Sequence, residues 1–102
     1  MIARIWHGRT ASAKADDYLA FLYRSGIPDY KATPGNKGAW VLRRIDANDG
    51  TVCHFITLTF WESREAIQAF AGDDIDVARY YPDDADYLLE FEPHVTHYEL
   101  FD

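Results

Sequence analysis

Residues 52–70 read VCHFITLTFWESREAIQAF, and the reading of this stretch decides the fold. A run of strand-forming residues ends on Trp61. Ser63 then offers its side chain as a helix N-cap, with Glu65 in the first turn. Ile67 and Phe70 are the inward residues of that helix, and Gly72 ends it. The strand is apolar or hydroxylic at nearly every position, so it is expected to be covered on both faces. One face meets the helices of its own domain and the other meets a second subunit. The strand-to-helix junction then gathers an indole, the hydroxyls of Thr57 and Thr59, and histidines around an interior space.

Working outward, residues 2–7 read as a first strand, with Ile2, Ile5 and Trp6 as its apolar surface. Ser12 can cap a helix whose early turns hold Asp16 and Asp17, where negative charge suits the helix dipole. Ala15, Tyr18, Leu19 and Leu22 give that helix one apolar stripe, and Gly26 followed by Pro28 signals its end. Residues 28–38, which contain Pro34-Gly35-Asn36, read as a loop. A second strand covers residues 39–45, and residues 46–50 form a hairpin turn with Asp-Gly at its tip. The third strand runs over residues 51–61. A short helical piece is expected over residues 75–81 before Pro82, and a last strand over residues 94–101.

The chain has 102 residues, which makes one domain, residues 1–102. Folding buries roughly 65% of the extended surface at this size, enough for an ordinary core. Hydrophobic content of 48% and aromatic content of 16% exclude a disordered chain. A net charge of −7 counts against nucleic acid and against an anionic membrane surface as partners. Cys53 is the sole cysteine, so no intrachain disulfide forms, and it reads as a small buried hydrophobe. The first nine residues, MIARIWHGR, lack the apolar stretch and cleavage site of a signal peptide, and the expected location is the cytoplasm.

The order strand, helix, strand, strand, helix, strand closes as an α+β, ferredoxin-like βαββαβ sandwich. Its four-stranded antiparallel sheet carries both helices on one face. Apolar residues then remain on the other face, and an uncovered apolar sheet is an aggregation hazard. A symmetric homodimer packing sheet on sheet removes it.

In this order of elements, in LTFWESREAIQAFAG at the junction and in the closing HVTHYELF, the chain resembles the dimeric α/β-barrel superfamily. Within it, the resemblance is to the antibiotic biosynthesis monooxygenase family. It spans nearly the whole chain and implies two subunits forming a dimeric α/β barrel. The reactions it implies include cofactor-independent oxygenation of a small aromatic or polyketide-like phenol, with no cofactor and no metal. A non-catalytic small-molecule-binding or stress-related barrel is the alternative, and haem binding or degradation is third. The haem-degrading members carry an Asn near the end of the first strand, a Trp at the end of the third and a His after the second helix. Trp61 matches the second of these, His7 is read at the first, and DIDVARYYPDD at the third position holds no histidine.

Oxygenation without a cofactor needs a base, donors for the resulting oxyanion and a dry cavity. His7, at the end of the first strand, is the candidate base at the mouth of the pocket; the competing reading is a strand-end residue with a structural hydrogen bond. Trp61 is the second candidate, as a pocket wall whose indole N–H reaches a substrate oxygen, against a core residue anchoring the following helix. Thr59, Phe70, Tyr80, Tyr81 and His97 are candidate substrate contacts. His54 has the parity opposite to Trp61 and belongs to the other face. His94 and His97, three apart in a strand, point to opposite faces and make no metal site. Asp83, Asp84 and Asp86 read as a solvated surface.

Overall fold

The computed structural model describes residues 1–101. Its elements are β1 (Ile2–Ala11), α1 (Ala15–Arg24), α2 (Gly26–Ala32), β2 (Asn36–Ile45), β3 (Val52–Trp61), α3 (Arg64–Ala71) and β4 (Thr96–Glu99). Short 3-10 turns occupy Ser12–Lys14 and Pro82–Asp86. The strands form one antiparallel sheet in the order β2-β3-β1-β4, the ferredoxin-like arrangement expected from the element order.

The register is set by the pairing of β1 with β3. Trp6 lies opposite Thr57, Arg4 opposite Thr59 and Gly8 opposite Phe55. Side chains alternate between faces along a strand, so the even residues of β1 share a face with the odd residues of β3. That face carries the helices, and Cys53, Phe55, Thr57, Thr59 and Trp61 are all buried on it. Tyr18, Phe21 and Leu22 of α1, Ile27 and Tyr30 of α2, and Ile67 and Phe70 of α3 complete the core. The opposite face presents Trp40, Leu42, Ile56, Leu58, Phe60 and Tyr98; Trp40 is 52% exposed and Tyr98 58% exposed. No helix among the described residues is long and apolar enough to cross a membrane.

Several boundaries differ from the sequence reading. The segment expected as a loop from Pro28 onward begins as helix α2, with Pro28 in its first turn. Proline is tolerated there because the first N–H groups of a helix have no intrahelical acceptor. Ser12 does not cap α1; it sits in the preceding turn, and its hydroxyl donates to the Gly50 carbonyl at 2.8 Å. Residues 75–81 form no helix, because an isolated bridge between Val77 and His94 ties them to the chain before β4. Ser63 does cap α3, its hydroxyl accepting the Ala66 N–H at 3.2 Å.

Gly35 turns the chain from α2 into β2 at φ +91°, and a Cβ there would lie 2.5 Å from the Ala66 Cβ. Its carbonyl accepts the Glu62 N–H at 3.0 Å, so the turn is pressed against the start of α3. Gly35→Ala is expected to cost more than about 1 kcal/mol, read as a lower urea midpoint. Gly50→Ala, at a position with open space around the missing side chain, is the control and should move the midpoint little.

Candidate functional site

Between the helix-covered face of the sheet and the segment 79–86 lies a small cavity of about 30 Å³. Trp6 and Thr57 form its floor, Tyr18, Tyr30 and Phe70 its walls, and Arg79, Tyr80, Tyr81 and Asp84 its roof. It has room for about one water molecule. Gly8 makes the floor possible: a Cβ there would sit 2.5 Å from the Trp6 ring, so the indole lies across the glycine.

The lining is tied together by hydrogen bonds. The Trp6 indole N–H donates to the Tyr80 hydroxyl at 3.1 Å, and Tyr80 donates to the Glu92 carbonyl at 2.7 Å. Tyr30 and Thr57 share a hydrogen bond of 3.2 Å. Tyr81 donates to the Asp29 carboxylate. The Arg79 guanidinium lies 4.7 Å from the Phe70 ring centre and 5.2 Å from that of Tyr81, a cation stacked on two faces.

Asp84 is the chemical centre of this lining, and here the sequence expectation is overturned. It does not belong to a solvated acidic surface; it is 4% exposed. The 3-10 turn that begins at Pro82 folds Asp84 inward, where its carboxylate accepts the Tyr81 N–H at 2.6 Å. Burial raises its pKa above the usual carboxylate value, opposed by the hydrogen bonds from the Tyr81 backbone and the Tyr18 hydroxyl. Burial likewise raises the phenols of Tyr18, Tyr80 and Tyr81, which stay neutral donors.

Phe70, Tyr80 and Tyr81, expected as substrate contacts, do meet in this cavity. Trp61 and Thr59 lie buried beside it and do not line it: the indole N–H donates to the Thr59 hydroxyl at 2.8 Å, which donates to the Arg4 carbonyl at 3.3 Å. That closed pair anchors the strand end. His97 sits apart under residues 75–78, its Nδ1 at 3.0 Å from Asp76. Desolvation, followed by the nearby Arg4 guanidinium, lowers its pKa.

His7 is not at the mouth of this cavity, because the register puts it on the opposite face of the sheet. There its Nδ1 lies 2.5 Å from Glu92 Oε2, and its Nε2 lies 2.8 Å from His54 Nδ1. His54 Nε2 in turn lies 2.6 Å from Asp46 Oδ1. The His54 hydrogen bond, helped by the Asn48 N–H, lowers the Asp46 pKa to about 2. Trp6, read in the sequence only as an apolar strand residue, takes the cavity position that had been given to His7. Strand parity relative to Thr57 is the signal that finds it.

No family model matches this chain, and a search of curated proteins returns no match. Solved structures do match over the full length. A Nitrosomonas europaea protein named for antibiotic biosynthesis monooxygenase superposes with a TM-score of 0.67 at 19% identity, covering 100% of both chains. A crystal structure titled antibiotic biosynthesis monooxygenase gives a TM-score of 0.63 at 18% identity, again over 100% of both chains. The haem-degrader MhuD of Mycobacterium tuberculosis, with two haems bound in its active site, gives 0.57 at 19% identity, over 98% of this chain and 95% of that one. At such identities the likeness is one of fold, and it bears out the ferredoxin-like architecture implied by the resemblance in sequence.

Asp84 provides a test of the site's electrostatics. Its folded pKa is raised above the unfolded value, so ionisation opposes folding, and stability falls as pH rises through the folded pKa. Asp84→Asn keeps an acceptor for the Tyr81 N–H and removes the charge. Its Tm near pH 7 is expected to equal or exceed that of the wild type, with the gap closing below about pH 3, where the carboxyl is protonated in both states. A variant clearly less stable at neutral pH would show that the carboxylate is compensated by its partners.

Proposed function

We propose that this protein is a homodimeric enzyme that oxygenates a small electron-rich aromatic substrate without a cofactor. Asp84 carries the reading. A buried carboxylate with a raised pKa, facing an aromatic cavity, is suited to act as a general base near neutral pH. In the proposed reaction it removes a proton from an activated C–H or phenolic O–H group. The resulting carbanion, or the phenolate in its carbon-centred resonance form, gives one electron to dioxygen; the radical and superoxide recombine as a peroxide that takes the proton back from Asp84, and loss of water with the second hydrogen of that carbon leaves a carbonyl. Tyr18, Tyr30 and Tyr80 line the cavity with hydroxyls that would turn from their present partners to hold the substrate oxygen, and Arg79 balances the developing negative charge. A substrate larger than water requires the Pro82–Asp86 turn to move away from the sheet.

The expected result in an oxygen electrode is uptake with anthrone-like phenols that falls by about 100-fold or more in Asp84→Asn. Loss in His7→Gln with Asp84→Asn active would return the role of base to His7. The alternative is a non-catalytic small-molecule-binding or stress-related barrel whose cavity carries no working base. Saturable binding of such a phenol with no oxygen uptake would establish it. Haem is a third occupant, suggested by the haems in the active site of MhuD. Its cavity ligands here would be tyrosines rather than imidazole. A Soret band that saturates at a fixed ratio of haem to protein would favour it.

The dimer rests on the open sheet face, where Trp40, Leu42 and Tyr98 are exposed beside Ile56, Leu58 and Phe60. Sheets pack about 10 Å apart with interdigitated side chains, which would cover these residues. Sedimentation at micromolar concentration is expected to give a dimer for the wild type and a folded monomer for Leu58→Arg. A monomeric wild type overturns the dimer.

A further inference from the structure

The small cavity has a larger neighbour. On the helix side of the sheet, Phe21, Arg24, Ser25, Tyr81, Pro82 and Asp83 line a surface groove of about 320 Å³. We propose that this groove is the entrance to the cavity and the first station of its aromatic ligand, with the Tyr81 ring as the gate and the Asp29 carboxylate as the catch that holds it shut. The entrance serves the cavity in either role proposed for it, oxygenation or binding of a small aromatic molecule, and so rests on that reading.

Among the described residues, Tyr81 alone lines both spaces. The two linings otherwise draw on different residues of the same two segments. Residues 21–26 give Phe21, Arg24 and Ser25 to the groove and Leu22 and Gly26 to the cavity; residues 82–84 give Pro82 and Asp83 outward and Asp84 inward. The Tyr81 ring is thus the partition. Gly26 leaves one flank of it free, since even a Cβ there would stop 3.9 Å short of the ring. The Tyr81 hydroxyl donates to Asp29, in the first turn of α2, and the Arg79 guanidinium lies 3.7 Å from the same carboxylate oxygen. The Asp29 side chain is 46% exposed, so water can replace the phenol as its partner. The far end of the turn is fixed more firmly. Tyr87 stacks on Phe21 with ring centres 5.2 Å apart, and the Leu89 N–H donates to the Arg9 carbonyl at 2.9 Å. Release of Tyr81 from Asp29 lets the ring swing toward the groove and frees the near end of the turn to pivot on Tyr87.

Size and chemistry suit an entrance. The cavity alone holds about one water, whereas the groove alone falls within the roughly 300–1,000 Å³ of small-molecule sites. Phe21 and Pro82 offer flat apolar surfaces, and the Arg24 guanidinium lies 5.2 Å from the centre of the Phe21 ring. A planar aromatic ligand therefore meets an aromatic face and a cation outside before it meets Tyr30, Phe70 and Arg79 inside. The groove lies beside α1, so a second subunit on the open sheet face would leave it uncovered.

Access to the cavity can be timed directly. Thr57→Cys places a reporter thiol on the cavity floor, and its reaction with dithiodipyridine, an uncharged aromatic disulfide, is followed by the absorbance of the thiopyridone released. Each chain is measured with and without Thr57→Cys, which removes the contribution of the buried Cys53. Tyr81→Phe and Asp29→Ala are each expected to speed the reaction about 10-fold or more, because a hydrogen bond to a carboxylate is lost. Lys14→Ala, which cuts a bond of 2.7 Å to the Asp86 carbonyl at the far end of the turn, should leave the rate unchanged. Amide hydrogen exchange in the β1–β3 ladder reports global unfolding, and labelling should rise by more than that exchange does. An unchanged rate in either Tyr81→Phe or Asp29→Ala, an equal acceleration by Lys14→Ala, or an acceleration that only follows ladder exchange would overturn the gate. The assay consumes no oxygen. A working gate in a protein without oxygen uptake would remove the oxygenase and keep the entrance; uptake in a protein whose thiol ignores these variants would do the reverse.

Discussion

The structure depends on the register of one strand pair. Opposing Trp6 to Thr57 commits the even residues of β1 and the odd residues of β3 to the helices, and the other parities to the open face. A slip of either strand by one residue would exchange that strand's two sets. If β1 slipped, His7 would enter the core and Trp6 would face outward; if β3 slipped, His54 would enter the core and Phe55 and Trp61 would face outward. The burial of Phe55 and Trp61 on one side makes that slip prohibitively costly. Every later feature follows from this choice: which aromatic residues line the cavity, which apolar residues are left on the open face, and why the imidazoles meet away from the cavity.

The interior retains polar groups that an apolar core would do without. Asp84 is buried among tyrosines, and Arg4 is buried with one guanidinium nitrogen donating to the Val77 carbonyl at 3.2 Å. Arg4 also lies 5.7 Å from the centre of the Phe70 ring, and desolvation lowers its pKa. Burying charge without a close opposite charge opposes folding. Of the two, only Asp84 lines the cavity, and a group that opposes folding at a cavity wall is the pattern expected of a functional site.

Much of this was legible in the sequence, and the reasons for the misses are physical. The strand ending at Trp61 and the helix capped by Ser63 are readable because their signals are local: alternation, cap and glycine stop lie within the segment itself. The open face was legible because its apolar residues had no helix left to cover them. Helix α2 was missed because Pro28 carries the same signal for a stop as for a first turn. Asp84 was missed because its burial comes from a turn folding over a distant sheet, and nothing in its acidic neighbours distinguishes it. His7 was read at the pocket mouth from its place at a strand end, and only pairing with β3 fixes which side that end presents. Trp61 was legible as a landmark, and the structure gives it to the core.

Glu92 occupies an unusual position between the two halves of this arrangement. Its carbonyl holds the Tyr80 hydroxyl in the cavity roof, while its carboxylate holds His7 on the opposite face. One residue of an irregular segment thus touches both sides of the sheet at its edge, past the end of the short strand β4. Displacement of that residue by an event on one side shifts a bonded partner on the other. Were ligands to bind on both sides, reciprocity of binding free energies would link them through Glu92, although a layer of backbone separates them.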